Sequence, residues 1–345
     1  MNADTYAAQL GQEAYPSFSF RARDLDEARR WQREFRSKLI ELLGIPRIAS
    51  RGKPPLKATR IGVEPQPDHV REEWTLETEP GFHLPFYLLK PLSPARERLP
   101  LVLTPHGHGK LAKKTYVGIA YSESDRREME EGERDIALQA VREGYLAIAP
   151  DMRGFAGLRL KSDIEKDANN SCQMLQMRAY MFGRTLIGER VWDMQRLIDW
   201  AVQRDDVDPE RIVITGNSGG GTVSLFAAAV DERIRVAVPG SYFCTFRDSI
   251  LAVHHCPCNY VPGLALYAEM WDVAGLIAPR PFMAVNGRDD RIFPLHGTEY
   301  AFARLSEIYS LFGAQDQCAL SIGEGGHRYY KKDVWPFVRR ALALS

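Results

Sequence analysis

An α/β architecture, with a mostly parallel central sheet and helices on both faces, follows from three observations. From Leu101 onward, short apolar stretches alternate with amphipathic ones, the grammar of strand and crossover helix. Ahead of them, period-two segments flank a Glu79-Pro80-Gly81 turn, which predicts an antiparallel hairpin. The chain has 345 residues, 45% hydrophobic and 26% charged, which is enough to bury one large core.

The elements follow in order. Asp24 to Leu43 reads as a helix with Leu25, Ala28, Trp31, Phe35, Leu39 and Leu42 near one face, stopped by Gly44 and Pro46. The hairpin pairs Glu73–Glu77 with Leu84–Leu89. Strands are predicted at Leu101–Thr104, Leu146–Ala149, Ile212–Thr215, Val236–Val238, Phe282–Asn286 and Ala319–Ile322. Helices are predicted at Glu133–Glu143, Glu189–Gln203, Gly220–Val230, Glu299–Leu311 and Val334–Leu342. The expected organisation is an N-terminal helical extension over 1–57 and one catalytic domain over 58–345, with insertions near 110–131, 154–181 and 243–270.

Composition narrows the function. Lys+Arg and Asp+Glu balance at 45 each, which argues against an extended nucleic-acid footprint or a polybasic membrane surface. No apolar run reaches the length of a membrane span, and no signal-peptide pattern opens the chain. Five cysteines are too sparse for a disulfide framework, so a cytoplasmic protein is expected.

In open α/β sheets chemistry collects beyond the carboxyl ends of the strands, and four such places are loaded here. Ile212–Thr215 runs into Gly216-Asn217-Ser218-Gly219-Gly220-Gly221 and an Ala-rich helix, the strand–turn–helix context of a nucleophile elbow. The competing phosphate-cradle reading lacks both the P-loop lysine and a G-x-G-x-x-G frame. Strand Phe282–Asn286 delivers two adjacent carboxylates, Asp289 and Asp290, either of which could orient a histidine. Strand Ala319–Ile322 leads through a Gly-rich loop to His327, the candidate general base. After Leu101–Thr104, Pro105-His106-Gly107-His108-Gly109 supplies a loop whose backbone can approach a reacting oxygen. The backbone N–H groups of His108 and Gly219 are the expected oxyanion donors.

Together these segments resemble the α/β-hydrolase superfamily, and within it the acetyl xylan esterase-like and dienelactone hydrolase-like branch. The resemblance runs from about Glu72 to the C-terminus and rests on HG-x-G at His106–Gly109, DMRGFAG at Asp151–Gly157, GNSGGG, NGRDDRIFP and GEGGH. It implies Ser218 as nucleophile, His327 as base and Asp290 as the orienting acid. It further implies a serine esterase acting on small acyl esters, acetyl first, with no cofactor and no metal. A small-molecule ester is the expected partner, without nucleic acid or membrane, and a homo-oligomer is compatible with the size. The elbow also resembles prolyl-oligopeptidase-type catalytic domains, but the roughly one hundred residues before the core cannot form their β-propeller.

Remaining signals are weighed as follows. Arg153, His255 and Tyr260 are candidate substrate contacts, although an Asp151–Arg153 pair more often braces loops. His254-His255-Cys256-Pro257-Cys258 is the most metal-like run, yet it lacks C-x₂-C spacing, and a tight structural loop is expected. A metal-assisted hydrolase using His106, His108 and that run, and a non-catalytic binding module, are the other readings. Tyr116 and Tyr121 lie in the first insertion, where they could line a pocket.

Overall fold

Along the central strands successive side chains point to opposite faces, and apolar residues fill both. The computed structural model describes residues 6, 9, 10 and 16–343. Its strands are β1 Thr59–Pro65, β2 His69–Glu79, β3 Phe82–Pro91, β4 Leu99–Leu103, β5 Leu146–Pro150, β6 Val207–Asn217, β7 Ile234–Gly240, β8 Phe282–Gly287 and β9 Cys318–Gly323. They form one sheet in the order β1-β2-β3-β5-β4-β6-β7-β8-β9. The β1–β2, β2–β3 and β3–β5 ladders are antiparallel, and the others are parallel.

The described helices are α1 Leu25–Leu42, α2 Ile45–Ala49, α3 Lys113–Tyr116, α4 Glu123–Glu131, α5 Ile136–Arg142, α6 Lys161–Glu165, α7 Cys172–Met181, α8 Leu186–Ala201, α9 Gly219–Val230, α10 Met270–Gly275, α11 Leu295–Leu311 and α12 Val334–Ala343. Leu101, Leu103, Ile212 and Ile214 face the side packed by α1, α8, α9 and α11. Val102, Val213, Val236 and Val238 face α5 and α12 on the other side. Each such buried side chain contributes roughly 1.5–3 kcal/mol of transfer free energy. No described helix is long and apolar enough to cross a membrane.

The expected elements are present, with boundaries moved by local chemistry. Asp24 caps α1 by accepting from Glu27 N at 2.8 Å. Gly44 ends it in a left-handed turn at φ 76°, while Pro46 opens the short α2 instead of merely terminating α1. Ala28, Phe35 and Leu39 are buried as the periodicity predicts, but Leu25 is 42% exposed and Gln32 is buried. Gln32 donates to the carbonyls of Gly275 and Ala278, satisfying the helix end opposite it. Helix α8 starts before Glu189 because Thr185 Oγ1 caps Gly188 N at 2.9 Å. The insertions near 110–131 and 154–181, to which the sequence assigns no element, contain the short helices α3, α4, α6 and α7.

Candidate active site

Strand β6 ends at Asn217 and α9 begins at Gly219, so Ser218 is the whole connection between them. Its backbone sits at φ 57° and ψ −118°, a conformation costing a side-chain-bearing residue on the order of 1–3 kcal/mol. The geometry is enforced from both sides. Ser218 N donates to Gly240 O at 2.8 Å, and Asn217 N donates to Tyr116 Oη at 3.0 Å. The loop after β4 lies directly against this turn. A Cβ on Gly107 would come within 2.5 Å of Asn217 O, and one on Gly219 within 3.0 Å of His108 Nδ1.

Ser218 and His327 line one open cleft of ≈ 620 Å³. Its other walls are the loop from His106 to Ala112, Thr115, Tyr116, Asn217, Arg134 and the α4 residues Asp125, Glu128 and Met129. Helix α4 has no buried residue. The charged first insertion nevertheless forms one wall of the cleft. Tyr116 is buried beside the elbow, and burial pushes its phenol up to about 12. Tyr121 is 67% exposed and does not line the cleft.

His327 Nδ1 lies 2.8 Å from Asp290 Oδ2. Asp290 is buried, and its Oδ1 accepts from Ile292 N at 2.8 Å and Phe293 N at 3.1 Å. The backbone thus fixes one carboxylate oxygen and leaves the other for the histidine. Asp289 is exposed, its N–H donating to Gly325 O, so only one of the two neighbouring carboxylates reaches His327. Phe293 stacks on the imidazole at 5.8 Å with an interplanar angle of 24°.

The two histidines after β4 have separate surroundings. His106 is buried, with Nδ1 donating to Gly107 O at 2.7 Å and Nε2 accepting from Met152 N at 2.9 Å. Both ring nitrogens are engaged, and burial lowers the pKa to about 3, so the ring stays neutral and offers no free ligand atom. His108 instead aims Nε2 at Cys258 Sγ (3.4 Å) and Cys172 Sγ (4.0 Å). The run expected as a bare structural loop therefore has its two cysteines beside His108 and a third cysteine, Cys172, that the sequence reading does not single out. His254 is exposed, and only its neighbours take part.

The three candidate substrate contacts fall outside the lining of this cleft. Arg153 is buried in an ion network. Its Nε and Nη2 donate to Asp193 at 2.7 Å each, and Nη1 donates to Glu79 at 2.6 Å. The guanidinium also lies 3.9 Å over the Phe82 ring. Its partners are not the neighbouring Asp151, which pairs with Lys113 Nζ at 2.5 Å. His255 is buried against Phe293 at 5.3 Å, and burial, then the nearby His327, lowers its pKa to about 4. Tyr260 lines a separate apolar cavity with Phe246, Ile250, Leu251, Val261 and Leu264, its hydroxyl donating to Ile250 O.

Comparisons with known proteins agree with this architecture. The Abhydrolase family model matches residues 6–317. The chain is 26% identical over 306 residues to "Putative hydrolase YtaP" of Bacillus subtilis (strain 168), covering 85% of this chain and 93% of that one. Its fold is similar to a "putative acetyl xylan esterase" from Bacteroides fragilis, at TM-score 0.78 and 18% identity, over 93% of this chain and 82% of the other. It is also similar to a glucuronoyl esterase from Solibacter usitatus, at TM-score 0.67 and 16% identity, over 96% and 99% of the two chains. The chain belongs to the Abhydrolase family, and it has the acetyl xylan esterase-like α/β-hydrolase fold that its motifs predict.

Proposed function

We propose that this hydrolase cleaves carboxylic esters through Ser218, His327 and Asp290. The observation that carries the reading is the strained Ser218 at the β6–α9 turn, sharing a cleft with a histidine whose other nitrogen is held by a buried carboxylate. In this reading His327 accepts the Ser218 proton as Oγ attacks the ester carbonyl. Asp290 keeps the proton-bearing nitrogen at Nδ1, leaving Nε2 as the base, and stabilises the imidazolium once it forms. Gly219 is the first residue of α9, where backbone N–H groups lack intrahelical partners, and it supplies one oxyanion donor. The His108 backbone N–H supplies the other. The alkoxide leaves with the proton from His327. Water, activated by the same histidine, then releases the acid.

The cleft favours a polar alcohol. Lys110, Thr115, Asp125, Glu128 and Arg134 line it, and hydroxyl-rich groups bind such side chains well while fatty chains do not. Small acyl esters of carbohydrates, acetyl first, fit this lining, in keeping with the sugar-ester names of the structural neighbours. The test is acetate release from acetylated oligosaccharides, compared with long-chain acyl esters and small peptides. The reading expects turnover on the sugar acetates and a loss of about 10⁴-fold or more in kcat for Ser218→Ala. Turnover retained by that variant would remove the serine from the mechanism.

A further inference from the structure

Three chain segments far apart in sequence converge beside the oxyanion loop. His108 follows β4, Cys172 opens α7, and Cys256 and Cys258 flank Pro257 at a one-turn 3-10 helix. Their ligand atoms all lie within 4.8 Å of one another. Individual separations are 3.3 Å for Cys256 Sγ–Cys258 Sγ, 3.4 Å for Cys258 Sγ–His108 Nε2 and 4.0 Å for Cys172 Sγ–His108 Nε2. Tetrahedral zinc, with Zn–S near 2.3 Å and Zn–N near 2.05 Å, requires edges of about 3.8 Å between sulfurs and about 3.6 Å between sulfur and nitrogen. These three separations lie within about 0.5 Å of the required edges, and every remaining pair lies within 4.8 Å, so modest side-chain adjustment brings the four atoms around one ion.

Charge supplies a second, independent argument. Arg190 is 3% exposed, and among the described residues no carboxylate pairs with it. Its polar contacts are Arg153 O at 2.7 Å and Cys172 Sγ at 3.2 Å. A buried guanidinium of this kind demands an anion nearby. Three thiolates and a neutral imidazole around a divalent ion carry a net charge of −1, which this one guanidinium balances. Neutral thiols would leave Arg190 without a counter-charge.

We propose that His108, Cys172, Cys256 and Cys258 bind one zinc ion, with Arg190 donating to a ligating sulfur from outside. The set is complete with four protein ligands and leaves no open position, so the ion is structural and does not activate water. It differs from a metal-assisted hydrolase in that His106 takes no part. The clamp ties the oxyanion loop to the insertions that carry Cys172 and Cys258, and it fixes the ring of the residue whose backbone N–H faces the reacting ester. Metal binding stands independently of the serine mechanism. Only the placement of the clamp at an oxyanion donor rests on that reading.

The test is metal analysis of the full-length protein purified under reducing conditions without chelator, with thiols counted before and after denaturation. The expected result is about one zinc per chain, with the cluster thiols unreactive until a chelator is added. Cys258→Ser should lose the zinc, and Cys318→Ser, outside the cluster, should keep it. Cobalt(II) loaded in place of zinc should give the ligand-field bands of tetrahedral thiolate coordination, a readout independent of turnover. If Cys258→Ser does not fold, the wild-type metal content and the cobalt spectrum still decide. Metal-free, folded wild type with all five thiols titratable overturns the proposal. So does a Cys172–Cys258 or Cys256–Cys258 disulfide, or iron in place of zinc.

Discussion

The Asp290 carboxylate shows how a single side chain is committed to one orientation. Two backbone N–H groups hold Oδ1, which leaves Oδ2 pointing at His327 Nδ1. An asparagine at 290 would keep its carbonyl oxygen on those same N–H groups and turn its NH₂ toward the imidazole. A donor in that place forces Nδ1 to become the acceptor and puts the proton on Nε2, where the base must be free. Asp290→Asn should therefore fold normally and lose about 10⁴-fold in kcat with little change in KM. Steady-state kinetics on an acetyl ester check this, and near-wild-type kcat would show that the carboxylate is not coupled to the base. Asp290 and Asp289 are indistinguishable from composition and spacing; the family resemblance implies Asp290, and the structure has only that one buried against the histidine.

At the scale of elements, β2, α8 and the loop after β5 are joined by charge rather than by apolar packing alone. Glu79 ends β2, Asp193 lies within α8, and Arg153 reaches both from the intervening loop. Removing only the cation would leave two buried carboxylates short of their partner, so Arg153→Ala should cost about 3 kcal/mol or more. Urea unfolding measures that loss. KM for the ester should stay within a few-fold of wild type, because Arg153 does not line the cleft. A raised KM with unchanged stability would return Arg153 to the substrate-contact role. The sequence makes contiguous features plain: strand ends, the elbow, the Gly-rich loop before His327, and the helix stop at Gly44. It hides partners that only packing brings together. Asp193 is 40 residues from Arg153 and Glu79 is 74, while the adjacent Asp151 looks like the natural partner and is not. Cys258 and His108 are separated by 150 residues, so a search for ligand spacing within His254–Cys258 finds only half the cluster.

For the whole molecule, the sheet acts as a frame that presents its strand ends to one cleft. Ser218 comes from the end of β6, Asp290 and His327 from the loops after β8 and β9, and His108 from the loop after β4. The helical insertions near 110–131 and 154–181 were not legible because their elements are short and weakly periodic; α4 buries none of its side chains. In the proposed reaction the frame carries the chemistry, while α4 and the β4 loop wall the cleft. The central claim is that Ser218 is an activated nucleophile. Intact-mass analysis after treatment with a fluorophosphonate, on wild type and Ser218→Ala side by side, tests it most directly. The account predicts one phosphonyl adduct on the wild type and none on the variant. An unlabelled wild type, or equal labelling of both, would contradict it.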